Sequence, residues 1–190
     1  MTRRSILTAF ASLLSLGLLV TPTARAAEKK ERKTYTEAPK MTIDPNKTYT
    51  ATIETAKGKI VCELYPKEAP EHVNSFVFLA REGYFDGLKF HRVEDWVIQG
   101  GDPTGTGGGG PGYKIKNEAA KNTHKHEAGT LAMARTPDPD SAGSQFYFTK
   151  QAAPSLDGAY TIFGKATEGL DVINKIERGD EIKSIKIEEK

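Results

Sequence analysis

His124 and His126 stand one residue apart with Glu127 beside them, and two imidazoles with a carboxylate are the raw material of a metal site. No third ligand lies at a recognised spacing, and Lys121 and Lys125 nearby suit a solvated loop, so no metal is expected there. Gly105, Gly107 and Gly110 match G-x-G-x-x-G, the loop that cradles a dinucleotide, but Pro111-Gly112 breaks the helix that would have to follow, and no βαβ unit surrounds it. The Gly-Lys pairs at Gly58-Lys59 and Gly164-Lys165 lack the rest of a phosphate-binding loop. Gly143-Ser144-Gln145 lacks the second glycine of a nucleophile elbow, and Cys62 alternates with Ile60 and Leu64 on what would be the apolar face of a strand. Covalent, metal and nucleotide chemistry are each unsupported, and no cofactor is expected.

The elements that would position any site emerge once the ends are set aside. Residues 1–26 carry Arg3 and Arg4, then 15 uncharged residues from Ile6 to Val20, then Ala24-Arg25-Ala26, the pattern of a cleaved export signal. Fifteen residues at ~1.5 Å each do not span a hydrocarbon core of ~30 Å, so a membrane anchor is not expected. The paired arginines fit an ordinary or a twin-arginine signal, and a periplasmic or secreted location is expected by either route. The whole chain has 27 Lys plus Arg against 25 Asp plus Glu; without the leader 24 face 25, a near-neutral balance that gives no reason to expect nucleic acid or an anionic membrane as partner. One cysteine excludes an internal disulfide framework. Residues 27–46 are charged and poor in apolar side chains and are expected to form a flexible tether, with one domain at 47–190.

Within that domain Tyr49–Thr55 and Ile60–Tyr65 read as a hairpin. Pro70, then Val73, Phe76, Val77 and Ala80 at helical spacing, then Gly83, read as a helix with its start and stop. Short apolar stretches follow at Leu88–Val93, Trp96–Gln99, Thr130–Ala134, Gln145–Thr149 and Tyr160–Gly164. A second helix around Leu170–Ile176 and a strand around Ile182–Ile187 end the chain. This spacing predicts an antiparallel barrel or sandwich of about eight strands with two helices, an α+β or mainly β domain.

Six segments occur in order: Phe90-His91-Arg92-Val93, Gln99-Gly100-Gly101-Asp102, Gly129 to Arg135, Gly143-Ser144-Gln145-Phe146-Tyr147, Leu156-Asp157-Gly158 and Phe163-Gly164-Lys165. Together they resemble the cyclophilin family of peptidyl-prolyl cis-trans isomerases over about Tyr49 to Glu188. The resemblance implies a closed eight-stranded barrel capped by two helices, with Arg92 and Gln99 as catalytic residues. It places the proline pocket and peptide groove at His91, Trp96, Val97, Met133, Ala134, Arg135, Gln145, Tyr147, Leu156 and Tyr160. The partners it implies are proline-containing peptide segments; with the leader these are expected to belong to exported proteins, and with no sign of an oligomer in the sequence a monomer is expected. Between Arg92 and Gln99 this chain is one residue shorter than the common family pattern, and Glu94 or Asp95 could pair with Arg92 and compete with substrate. An alternative is therefore a cyclophilin-like peptide-binding or chaperone module with little catalysis. Tyr147 stands where the family carries a pocket phenylalanine, and a buried hydroxyl needs a partner.

Overall fold

The computed structural model describes residues 32–190; the expected leader at 1–26 and the first part of the expected tether lie outside the described residues. Strands β1 (Tyr49–Thr55) and β2 (Gly58–Leu64) form the expected hairpin, with Ile60, Cys62 and Leu64 pointing inward. Burial raises the Cys62 thiol well above its ordinary range, which suits a small core residue and not a nucleophile. Helix α1 (Pro70–Arg81) begins on its proline. It ends on Gly83, at φ +64, where Gly83 N and Tyr84 N donate to the carbonyls of Ala80 and Leu79 and satisfy groups the last turn would otherwise orphan.

The remaining strands are β3 (Leu88–Lys89), β4 (Arg92–Val93), β5 (Val97–Gly100), β6 (Thr130–Met133), β7 (Phe146–Thr149), β8 (Ile162–Glu168) and, after helix α2 (Leu170–Lys175), β9 (Glu181–Glu189). All pairings are antiparallel, in the order β3-β9-β1-β2-β8-β6-β7-β5-β4. There are nine strands and not eight because the stretch Leu88–Val93 is divided: β3 pairs with β9 and β4 with β5. These two are the opposite edges of the sheet, yet only Phe90 and His91 separate them in the chain, so the sheet has to curl round into a barrel. Inside, Phe76, Phe85, Phe146, Phe148 and Phe163 are all at most 1% exposed. Each such side chain contributes roughly 1.5–3 kcal/mol by leaving water. A second, smaller apolar cluster of Val97, Ala132, Tyr147 and Ile162 lies on the other face of the sheet.

The segment expected to be a tether does not hang free over its described part. Arg32 donates to the carbonyls of Tyr84 and Asp86, Tyr35 N donates to Pro111 O at 2.8 Å, and the Tyr35 ring meets Phe78 edge-on at 5.1 Å. Ile43 is 5% exposed, and Asn74 of α1 accepts from Thr42 N at 2.9 Å and donates to the carbonyls of Pro39 and Lys40. Low apolar content hid this, because polar bonds from both side chain and main chain fasten the strap alongside Tyr35 and Ile43, and residues 32–46 pack on the domain expected at 47–190.

Candidate functional site

The site follows from strand register. Arg92 lies opposite Gln99, Gln99 opposite Tyr147, Tyr147 opposite Ala132, and Ala132 opposite Ile162. Residues directly opposite share a face, so this single row runs across five strands from a charged end to an apolar one on the outer side of the barrel. Along the polar end the hydrogen bonds have one direction. Arg92 Nη1 donates to Gln99 Oε1 at 3.3 Å, Gln99 Nε2 to Gln145 Oε1 at 2.9 Å, and Gln145 Nε2 to the carbonyls of Gly107 and Gly109 at 2.9 and 2.8 Å.

The missing residue between Arg92 and Gln99 is absorbed by a tight hairpin in which Glu94 N donates to Val97 O at 2.9 Å and only Asp95 and Trp96 bridge the strands. Arg92 and Gln99 therefore remain paired. The tight turn brings Glu94 against the site: its carboxylate accepts from Arg92 Nε at 2.7 Å and from the Trp96 indole N–H at 2.8 Å. The Arg92 guanidinium also lies 5.3 Å from the Trp96 ring. The hydrogen bond from Arg92 holds the Glu94 carboxyl below its usual range. Of a guanidinium's five N–H donors only two are committed among the described residues, which leaves Arg92 able to reach a ligand.

Next to Arg92 opens a groove of about 640 Å³. Trp96, Val97, Tyr147, Leu156 and Tyr160 give it apolar walls, with Ala134 and Gln99 at one side and His91 at another. Burial lowers the His91 imidazole below its ordinary pKa, which favours its neutral form. Arg135 also lines the groove; its guanidinium lies 4.5 Å over the Tyr160 ring and donates to Ala159 O at 3.1 and 3.0 Å, fixing that wall. Gln145 lines an adjoining cavity of about 450 Å³ against Gly107–Gly110. Met133 is a correction: strand alternation turns Ala132 outward and Met133 into the barrel interior, 2% exposed, so it does not line the groove.

The glycine-rich loop wraps a carboxylate and not a phosphate. Asp102, 1% exposed, accepts from Thr104 N and Oγ1 and from Gly107 N. Burial would push its pKa up, but the bonds from Thr104 and from the main chain of Gly107 and Gly109 outweigh it and hold the group low. A Cβ on Gly109 would lie 2.2 Å from Asp102 Oδ1, so only glycine fits. The His-x-His pair does not converge: His124 stacks on Tyr65 at 3.9 Å, whereas His126 bonds Asp157 and Tyr147. Sequence reasoning missed Thr106 and Arg178, which also line the groove, and it missed the place of His126.

Replacing Glu94 by alanine is expected to lower turnover by ~3- to 10-fold while moving the melting midpoint by less than ~4 °C, since exposed ion pairs stabilise folds by only ~0–1 kcal/mol. Loss of the carboxylate frees charge on Arg92 but releases the guanidinium plane and Trp96 together, and the second effect should prevail. A rise in turnover would show that Glu94 competes with a ligand for Arg92 and does not orient the cation.

The model of the cyclophilin type peptidyl-prolyl cis-trans isomerase family matches residues 50–189. A peptidyl-prolyl cis-trans isomerase of Helicobacter pylori is 51% identical over 157 residues, covering 75% of this chain and 96% of that protein. Peptidyl-prolyl cis-trans isomerase B of Bacillus subtilis is 50% identical over 132 residues, covering 69% and 92%. Among solved structures, a Cryptosporidium parvum cyclophilin type isomerase superposes with a TM-score of 0.69 at 32% identity, covering 74% of this chain and 98% of that one; the same protein in the presence of the dipeptide Ala-Pro gives 0.67.

Proposed function

We propose that this chain, which belongs to the cyclophilin-type peptidyl-prolyl cis-trans isomerase family, performs its isomerisation outside the cytoplasm, on Xaa-Pro bonds of exported proteins as they fold. The enzyme activity itself follows from family and fold; location and clients are the proposal. Its support is the leader pattern of Arg3 and Arg4, the uncharged run Ile6 to Val20 and Ala24-Arg25-Ala26. Among the described residues no helix is long and apolar enough to cross a membrane.

The geometry suits the reaction. Rotation about a peptide bond is opposed by ~18–20 kcal/mol because the nitrogen lone pair is shared with the carbonyl. Before proline the two isomers are close in energy, yet they exchange in tens of seconds or more. Neither nucleophile nor cofactor is needed to lower that barrier. The apolar walls at Trp96, Tyr147 and Leu156 can hold the prolyl ring, as expected for a ligand of the Ala-Pro kind. Arg92, at the charged end of the row, can then donate to the prolyl nitrogen when rotation has returned the lone pair to it. That bond is worth more in the twisted state than in the planar one, which is catalysis by differential binding. Gln99 and Glu94 hold the guanidinium from two sides.

Expression of the full chain in a bacterial host, followed by cell fractionation and intact mass, tests the location. The expected product is in the periplasmic or culture fraction, begins at Ala27, and accelerates refolding of a protein limited by proline isomerisation. An uncleaved chain retained in the cytoplasm would overturn the proposal.

A further inference from the structure

His126 lies 2% exposed under the proline pocket, although its neighbours Lys125 and Glu127 are exposed. Its main-chain N and its Nδ1 both face Asp157 Oδ1, at 2.9 and 3.0 Å, and its Nε2 lies 2.9 Å from the Tyr147 hydroxyl. Its carbonyl accepts from Ala153 N at 2.8 Å. One residue thus ties β7, which carries the pocket floor, to the segment 153–160, which carries the walls Leu156 and Tyr160.

The direction of these bonds follows from chemistry. Hydrogen bonds from the main chain and ring of His126 hold the Asp157 carboxyl below its usual range, so near neutral pH it is ionised and can only accept. Nδ1 must then carry the hydrogen, and in a neutral imidazole Nε2 is left as an acceptor. With the ring neutral, the Tyr147 O–H, itself in a residue 5% exposed, donates to it. Its hydrogen is thereby spent below the pocket and not toward the space where an apolar ring would sit.

We propose that His126 is a positioning residue of the isomerase: the chain Asp157–His126–Tyr147 commits the tyrosine hydroxyl away from the prolyl site and latches the Leu156 wall to the pocket floor, so that a tyrosine serves as an apolar surface. This rests on the isomerase reading of the groove. It assigns binding of the ring, and not the rotation step, to the residue, because His126 does not line the groove that Arg92 faces.

His126→Asn separates the two halves of the chain, since asparagine can keep the Asp157 bond but cannot reach Tyr147. The lone tryptophan, Trp96, lines the groove, so its fluorescence reports binding of an Ala-Pro-containing tetrapeptide without any need for catalysis. With the hydroxyl left unpaired in the pocket floor, Kd and KM are expected to rise ~10-fold while kcat changes less than ~3-fold, the size of effect expected of an unsatisfied buried hydroxyl. Adding Tyr147→Phe to His126→Asn should recover most of the lost affinity. Asp157→Ala, which frees the ring to change tautomer, should weaken binding in the same direction, and Tyr147→Phe should suppress that loss as well. Unchanged Kd in His126→Asn, or a loss that Tyr147→Phe does not repair, would overturn the proposal, even where the melting midpoint falls. A wild-type protein that binds the peptide without isomerising it would refute the isomerase reading and leave the Kd comparison to decide on His126.

Discussion

Arg92→Ala should lower kcat/KM for a proline tetrapeptide by ~10²- to 10³-fold, the loss of ~2.7–4 kcal/mol that follows removal of one preorganised donor from a reacting centre. The fall is expected almost wholly in kcat. The pocket walls that hold the ring stay in place, and the Arg92 bond is strong only when the prolyl nitrogen is pyramidal, so ground-state binding loses little. Stability should be nearly untouched, because the Arg92 side chain is 43% exposed and its ion-pair partner Glu94 45%. Arg92→Lys should recover only a small part. A lysine has one nitrogen at the end of a flexible stem, whereas Arg92 uses Nε for Glu94 and Nη1 for Gln99 and keeps further N–H groups for substrate. Two-dimensional exchange NMR on the peptide measures the rate directly. A variant that retains more than a tenth of the wild-type rate would mean that the pocket alone, by desolvating and bending the Xaa-Pro bond, carries the catalysis.

How far the molecule can be read without coordinates depends on whether each feature is local. The β1–β2 hairpin and α1 between Pro70 and Gly83 are set by neighbours in sequence, and both stand as the spacing predicts. The row from Arg92 to Tyr147 was reachable because six ordered motifs resemble one family, although no single motif is specific. What escaped is non-local. Leu88–Val93 looks like one strand and is two, because its halves pair with partners that stand at the two ends of the sheet. Met133 was placed in the pocket, but β6 alternates and Ala132 holds the outward position. Arg32–Asn46 looked like a solvated tether because composition counts apolar side chains, and this strap is fastened by Asn74, Tyr84 and Pro111. His126 looked like half of a weak metal motif because its two partners lie 21 and 31 residues away.

The largest expected loss of stability comes from a carboxylate that sequence reasoning did not single out. Helix α1 has Ala69 at its N-cap, which offers no side-chain oxygen, so its first N–H groups need a partner from elsewhere. Glu118, 7% exposed, supplies it: its two oxygens accept from Glu71 N at 3.3 Å and from His72 N at 3.1 Å, and Oε2 also meets His72 Nδ1 at 2.7 Å. A negative charge at this end also suits the helix dipole. Glu118 N in turn donates to Thr161 Oγ1 at 2.9 Å, Thr161 donates to Asn117 Oδ1 at 2.9 Å, and Asn117 Nδ2 donates to Ala159 O at 3.2 Å. The helix cap and the Tyr160 wall are therefore fastened to the same three residues. Glu118→Ala removes an acceptor shared by three donors, two of them the buried N–H and ring nitrogen of His72, and should cost ~3 kcal/mol, or roughly 6–12 °C in melting midpoint for a domain of this size. Glu118→Gln keeps one carbonyl oxygen for the helix and should cost about half as much, ~1–2 kcal/mol. Because the cap lies behind the groove wall, kcat/KM measured well below the midpoint should stay within ~3-fold of wild type. Urea titration of the three proteins decides it. Equal midpoints for wild type and Glu118→Ala would show that solvent, and not this carboxylate, caps α1.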